Sequence, residues 1–153
     1  MLAPVLVICF ILIILMIVLI IYNIDYYNKL IKDTWMESPI ILTILLALSL
    51  TVMTVGTFIN YKDNTAVIPI YLMIIFFEYI WIITTYNRMY TTATAITTII
   101  FLLSSFEMVF LVKGSDPILC WTITPFLFLS LLQIVMTDIL YKNNLDHTDI
   151  INI

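Results

Sequence analysis

The chain has 153 residues, of which 63% are hydrophobic and only 10% are charged, and its formal net charge is −4. A water-soluble domain of this size needs a charged surface around its core, so the composition excludes an ordinary soluble protein. The mean hydropathy of +1.16 agrees with this exclusion. A net negative charge gives no reason to expect nucleic-acid binding. The sequence predicts an integral membrane protein whose first partner is the lipid bilayer.

The apolar residues fall into five blocks, each about as long as a transmembrane helix. About 20 residues at about 1.5 Å per residue cross a hydrocarbon core of about 30 Å. The first block has no basic residue before it and no cleavage site after it, so we expect a retained helix and not a signal peptide. Blocks that are apolar on every face also exclude the alternating strands of a β-barrel. The predicted spans are 1–22, 39–59, 66–86, 91–112 and 118–141.

The segments between the blocks are short, with one exception. Short connections join antiparallel neighbours, so we expect one membrane domain over residues 1–153, a bundle of five transmembrane helices. The exception, 23–38, carries three aromatic residues of the kind that favours the headgroup region. More Lys and Arg residues lie on the side of the membrane that holds this loop than on the opposite side. The positive-inside rule therefore places loop 23–38 and the tail 142–153 in the cytosol.

Four side chains with a carboxyl or amide group interrupt the predicted spans: Glu78, Glu107, Gln133 and Asp138. An ionisable group in hydrocarbon is costly and often faces a cavity or a partner, which makes each acid a functional hypothesis. The alternative is a protonated carboxyl that is hydrogen-bonded between helices and has a structural role only. Both alternatives stay open for Glu78. For Glu107 we favour the structural role, and for Asp138 a position at the membrane interface.

The residue types that common active sites need are missing from the spans. His147 is the only histidine, and Cys9 and Cys120 are isolated, so we expect no metal site and no disulfide. The spans contain no glycine-rich phosphate loop and no Ser–His–Asp set. We therefore expect no enzyme activity and no bound cofactor.

Proline and small residues indicate two further features. Pro125 lies a few residues inside the last predicted span, where the missing N–H frees a backbone carbonyl and favours a kink. Segment 91–98 is rich in Thr and Ala, which allow helices to pack closely. Packing within the bundle is the simpler interpretation of this segment, and a homodimer face is the alternative.

Several motifs follow the spacing of a known membrane protein family between residues 26 and 144. Segment 26–35 reads Tyr-Tyr-Asn-Lys-Leu-Ile-Lys-Asp-Thr-Trp and is similar to a Trp-Tyr-x-x-Leu-x-Lys-Pro-x-Trp stretch that leads into a second helix. Met53 and Gly56 match a Met-Gly-x-Gly stretch. Trp81 matches the second tryptophan of Asn-Trp-x-Trp, and Pro125 matches the proline of Pro-Tyr-x-x-Trp. Lys62, Pro117 and Lys142 follow at corresponding distances.

This joint spacing resembles the translocator protein family (TspO, the peripheral benzodiazepine receptor). The resemblance implies five tilted helices around a ligand cavity that the first loop covers. It also implies binding of sterols, porphyrins or drug-like molecules and, for a eukaryotic or viral protein, a place in the mitochondrial outer membrane. Abundant Ile, Asn and Tyr beside scarce Gly, Ala and Arg indicate an A/T-rich genome, and a viral or parasite copy of a host protein is one hypothesis.

The resemblance also implies a ligand site, in which three tryptophans of the family are replaced by Leu46, Ala93 and Leu129. Trp81 is what remains of the aromatic lining, and this argues against porphyrin binding or breakdown, which depends on stacking. The expected ligand-binding residues are Trp35, Leu42, Leu46, Glu78, Trp81, Ala93, Leu129, Gln133 and Met136. The remnant of the family's sterol motif is Met136, Asp138 and Lys142, with Asp138 in place of a tyrosine.

Two classes of function stay open. The first is a translocator-like protein that binds apolar or amphipathic ligands in a cavity of the helix bundle. The second is an interaction protein that keeps the fold and modulates mitochondrial or cell-death signalling through membrane protein partners. The lost tryptophans favour the second class, and the retained loop residues and Pro125 favour the first. An ion channel that uses Glu78 and Glu107 ranks below both, because two isolated acids do not form a filter.

Overall fold

The computed structural model describes residues 2–22, 39–60, 66–87, 89–114 and 121–149, and these residues form five α-helices. All five helices are long and apolar enough to cross a membrane. The prediction of an all-α, multi-pass membrane protein is confirmed at this level. The predicted cytosolic loop 23–38 lies outside the described residues. The helices are α1 (Leu2–Tyr22), α2 (Pro39–Asn60), α3 (Val67–Tyr86), α4 (Tyr90–Gly114) and α5 (Thr124–Asp149).

The helices are apolar on all sides because their inner faces meet neighbouring helices and their outer faces suit lipid. Many of the hydroxyl groups within them are satisfied locally, by donating to a carbonyl oxygen one turn earlier. Thr51 donates to the Ala47 carbonyl at 2.7 Å, and Ser104 donates to the Ile100 carbonyl at 2.7 Å. Residues that are costly in hydrocarbon are thereby accommodated without any tertiary partner.

The helix contacts follow the order α1, α2, α5, α4, α3 and return to α1. The most extensive contact joins α3 to α4, followed by the contact between α4 and α5. Helix α2 touches all four other helices, whereas α1 lies at the periphery. Only 17% of the α1 span is buried, against 44% for the spans of α2 and α3. The bundle is therefore organised around α2, and most of α1 is left to face lipid.

The Thr- and Ala-rich segment at the start of α4 takes part in packing. Ala93 and Thr97 are fully buried, and Ile96 is almost so. Thr94 donates to the Tyr90 carbonyl at 2.9 Å, so its hydroxyl needs no partner from a second helix. Small side chains on this face allow the close contact between α3 and α4.

The last helix begins later than predicted. Helix α5 starts at Thr124, after a short 3₁₀ turn at 121–122, and it continues to Asp149, so that part of the predicted tail is helical. Pro125 is therefore the second residue of α5. The first N–H groups of a helix have no intrahelical acceptor, and a proline there removes no hydrogen bond. The physical reason for a kink is absent, and the expectation of one inside the span is corrected.

Gly56 allows α2 to approach the turn before α5. A Cβ atom at this position would lie 1.9 Å from Thr122 Oγ1 and 2.6 Å from Thr122 Cβ. Such distances are far below van der Waals contact, so no other residue fits here without moving the backbone. Small residues at helix crossings let backbones come close in the same way.

Candidate functional site

A cavity lies between α1, α2, α3 and α5, in the half of the bundle where α1 and α3 end and α2 begins. Its position follows from Ile20 near the end of α1, Leu42 near the start of α2 and Thr85 near the end of α3, all of which line it. Its volume is about 60 Å³. Sites for drug-sized ligands typically enclose about 300–1,000 Å³. The cavity therefore accommodates a small group as it stands, and a larger ligand requires side chains to move.

Most of the expected ligand-binding residues meet at this cavity. Six of the nine line it: Leu42, Leu46, Trp81, Leu129, Gln133 and Met136. Glu78 is not part of the lining but is hydrogen-bonded to one of its members. Ala93 is fully buried in α4 and is not among the lining residues, and Trp35 lies outside the described residues.

Helical spacing explains why these residues converge. In α5, Leu129, Gln133 and Met136 are separated by one turn each and share a face. In α3, Trp81 and Thr85 share a face in the same way, and Glu78 lies one turn earlier. The spacing of three or four residues is visible in the sequence and indicates that these residues share one face of their helix. It does not reveal which neighbouring helix that face meets.

Trp81 connects α3 to α5 at the cavity wall. Its indole Nε1 donates a hydrogen bond to Thr137 Oγ1 at 3.0 Å, and the Thr137 hydroxyl donates to the Gln133 carbonyl at 2.7 Å. The ring is almost fully buried. Trp81 therefore supplies both a large apolar surface to the cavity and a polar contact between two helices.

A buried carboxyl–amide pair lies beside the cavity. Gln133 Nε2 donates to Glu78 Oε2 at 2.9 Å, and both side chains are buried. Three polar atoms in this region have no hydrogen-bond partner within the part of the chain that the structure describes: Glu78 Oε1, Gln133 Oε1 and Thr85 Oγ1. A buried polar atom without a partner costs about 1–3 kcal/mol. The region can therefore gain stability from any molecule that supplies suitable hydrogen-bonding groups.

The three remnants of the sterol motif are not brought together. Met136 lines the cavity, whereas Asp138 and Lys142 form an ion pair at 2.7 Å along the surface of α5. Both charged side chains are about half exposed or more, at 49% and 69%. An ion pair in such a position is worth less than about 1 kcal/mol. Asp138 is thus paired along its own helix and does not point to a common sterol site.

A second group of polar side chains lies in the opposite half of the bundle, where α2 ends and α3 begins. Thr57 Oγ1 donates to Glu107 Oε1 at 2.5 Å, joining α2 to α4, and Thr54 is hydrogen-bonded to the Tyr71 hydroxyl. Sequence reasoning missed the two threonines and Tyr71, because nothing in their local pattern shows which side chain on another helix each of them meets.

An apolar groove runs along the outer surface between α2 and α5. It has a volume of about 410 Å³, and its lining includes the exposed side chains of Leu48 and Phe128. Leu129 and Leu132 line both the groove and the cavity. These two leucine side chains therefore lie between the cavity and the membrane-facing groove. Leu132 was not singled out in the sequence, since leucine is common in every span.

Comparison of the chain with family models, curated proteins and solved structures finds no match. The resemblance to the translocator protein family accordingly rests on the motifs in the sequence.

Proposed function

We propose that this protein binds apolar or amphipathic ligands within its helix bundle, in the manner of the translocator protein family. The main support is the convergence of six residues, assigned through the resemblance, on one cavity. Mostly apolar walls with a few polar groups are typical of sites for small organic ligands. The same resemblance suggests the mitochondrial outer membrane for a eukaryotic or viral protein, with loop 23–38 and the C-terminus in the cytosol.

The small volume of the cavity requires an explanation within this proposal. A sterol or a drug-like molecule needs several times the present 60 Å³. Leu129 and Leu132 form the partition to the 410 Å³ groove, so a change in their rotamers would join the two spaces. A ligand dissolved in the bilayer would then reach the site from the membrane side, without passing through water.

The size of the cavity also favours the second candidate function. A bundle that keeps its helices but lacks a ligand-sized space matches an interaction protein, which works through contacts with other membrane proteins. The outward faces of the helices supply apolar surface for such contacts. The two candidates differ in one respect that can be measured: only the first requires saturable binding of a small molecule that depends on Trp81.

The test is a titration of the purified protein with a cholesterol analogue, an isoquinoline-carboxamide and protoporphyrin IX. Substituting Trp35 and Trp121 by Phe leaves Trp81 as the single tryptophan, so that fluorescence quenching reports the cavity alone. We expect saturable binding of the first two ligands at micromolar concentration or below. We expect weak binding of protoporphyrin, because Leu46 and Leu129 supply no stacking surface.

Variants of Trp81 separate its packing role from its polar contact. Calorimetric titration should show affinity falling at least about tenfold in Trp81→Ala, which removes the largest apolar side chain of the lining. Trp81→Phe keeps most of the ring surface and should retain most of the affinity. Thr137→Val is the matched control. Thr137 accepts the hydrogen bond of Trp81 but does not line the cavity, so this variant removes the polar contact and leaves the described lining unchanged. Absence of binding by a folded, monodisperse wild-type sample would reject the ligand-binding function and leave the interaction protein.

A further inference from the structure

We infer that the cavity selects ligands by their polar head, taking amphipathic molecules whose head donates hydrogen bonds, with amines ahead of carboxylic acids. This inference rests on the proposed ligand-binding function and specifies the chemical class of the ligand. It depends on the hydrogen-bonding groups left without partners at the wall between α3 and α5.

The first step concerns the orientation of Gln133. Gln133 Nε2 donates a hydrogen bond to Glu78 Oε2 at 2.9 Å, so the amide nitrogen is already engaged. The carbonyl end, Oε1, is then the part of the amide that stays without a partner. Gln133 lines the cavity, so its free carbonyl oxygen can accept a hydrogen bond from a molecule in the cavity. Glu78 acts as a positioning residue that decides which end of the amide is available.

The second step adds Thr85, which lines the same cavity. It is 96% buried, since its exposed fraction is 4%, and its Oγ1 has no partner within the described part of the chain. The neighbouring Thr84 differs: its hydroxyl donates to the Ile80 carbonyl at 2.8 Å, and it does not line the cavity. Thr85 therefore offers a second hydrogen-bonding atom to an occupant of the cavity, beside Gln133 Oε1.

The third step concerns charge. Glu78, which is hydrogen-bonded to Gln133, has a further buried oxygen, Oε1, without a partner among the described residues. Among the described residues that line the cavity, none is Lys, Arg or His. A ligand carboxylate would thus meet acceptor oxygens with no cation to balance them, whereas an ammonium group supplies three donors. An alcohol supplies one donor and should rank between the two.

The volume suits a polar head with its first carbon atoms. About 60 Å³ exceeds the space that one water molecule needs, but it is too small for a ring system. The apolar body of the ligand would extend past Leu129 and Leu132 into the groove. The polar atoms thus bind the head, and the apolar walls bind the body without regard to its detailed shape.

The test uses three ligands with the same twelve-carbon chain: dodecylamine, dodecanol and dodecanoic acid. Each is titrated into wild-type protein in nanodiscs of zwitterionic lipid, and partition into empty nanodiscs is subtracted. We expect the amine to bind about tenfold or more tightly than the acid, since the difference amounts to one or two satisfied buried hydrogen bonds. Equal affinity for the three heads, as expected if ordered water satisfies the polar atoms, would overturn the inference.

Three variants assign the preference to this wall. Gln133→Leu and Thr85→Val should each reduce the ratio of amine to acid affinity several-fold, and Thr84→Val should leave the ratio unchanged. Glu78→Gln should also lower the ratio, because a second amide can donate to Gln133 and turn its nitrogen toward the cavity. An unchanged ratio in both folded Gln133→Leu and folded Thr85→Val would overturn the inference.

The outcome also distinguishes this inference from the proposed function. Binding of the cholesterol analogue that depends on Trp81, together with no discrimination among the three heads, would overturn the head-group selectivity alone. Absence of saturable binding for every ligand would overturn both.

Discussion

The two buried acids of the spans share the same immediate chemistry and differ in their surroundings. Glu78 and Glu107 are both fully buried, and each accepts one hydrogen bond, from Gln133 and from Thr57 respectively. In each, the second oxygen has no partner among the described residues. Yet the partner of Glu78 lines a cavity, whereas neither Glu107 nor Thr57 lines the cavity or the groove.

Two acids that are equally buried in the spans can therefore have different surroundings. Close contacts are found near Thr57, the partner of Glu107: Gly56 touches Thr122, and Tyr71 is hydrogen-bonded to Thr54. Around Glu78 an unfilled volume coincides with further polar atoms that lack partners. The hydrogen bond between Thr57 and Glu107 joins α2 to α4, and under the proposed function the pair of Glu78 and Gln133 serves the ligand site.

The strongest test of this division is a substitution on the packed side. Gly56→Ala should lower the free energy of unfolding by about 1–3 kcal/mol or more, because the new Cβ would lie 1.9 Å from Thr122 Oγ1. Unfolding in mixed micelles measures the loss. Adding Thr122→Gly should restore part of it, since the glycine removes the atoms that the Cβ meets. Full stability of Gly56→Ala would show that α2 and the turn before α5 are not in close contact.

The next test concerns the partner of Glu107. Thr57→Val keeps the shape of the side chain but leaves both Glu107 oxygens without a hydrogen bond, and should cost about 1–3 kcal/mol of stability. Ligand affinity in the folded protein should stay within about twofold of wild type. The matched control is Thr98→Val, because Thr98 is exposed and bonds only within its own helix. A large loss of affinity in Thr57→Val would instead indicate that the Glu107 site contributes to ligand binding together with the Glu78 site.

A smaller effect is expected on the cavity side. Thr137→Val removes the acceptor of the Trp81 indole and should lower the free energy of unfolding by about 0.5–1 kcal/mol, the usual range for hydrogen bonds between membrane helices. Trp81 should become more mobile, which fluorescence anisotropy of the single-tryptophan protein would detect. Unchanged anisotropy and stability would indicate that packing alone fixes the indole.

The smallest expected effect concerns the partition between cavity and groove. Leu132→Ala should open the cavity to the membrane-facing groove and raise the association rate of the cholesterol analogue several-fold. Leu131→Ala is the matched control, because Leu131 is exposed and lines neither space. Equal rates in the two variants would contradict access through this partition.

Much of the fold could be predicted from sequence because hydropathy is a local property. Four of the five predicted spans agree with the helices to within about two residues at each end. The start of α5 was placed too early, since apolar residues before Thr124 extend the hydropathy signal although the chain there forms a 3₁₀ turn. Residues 118–120 lie outside the described part of the chain.

The candidate site was only partly predictable. Trp81 and Glu78 stand out in the sequence because a tryptophan and an acid are unusual inside a span. Thr85 and Thr137 do not stand out, since a threonine in a transmembrane helix is usually satisfied by its own backbone. Their roles depend on whether a partner or a space lies opposite, which no local pattern contains.

The sequence by itself determined the environment of this protein and the number of its spans, because transfer from water to lipid depends on the composition of each segment. It also determined which rare polar groups the membrane must accommodate. Only the tertiary structure decided that Gln133 meets Glu78, that Thr57 meets Glu107 and that the cavity lies beside the first pair. These pairings join helices far apart in the chain, so they depend on how the helices pack against one another.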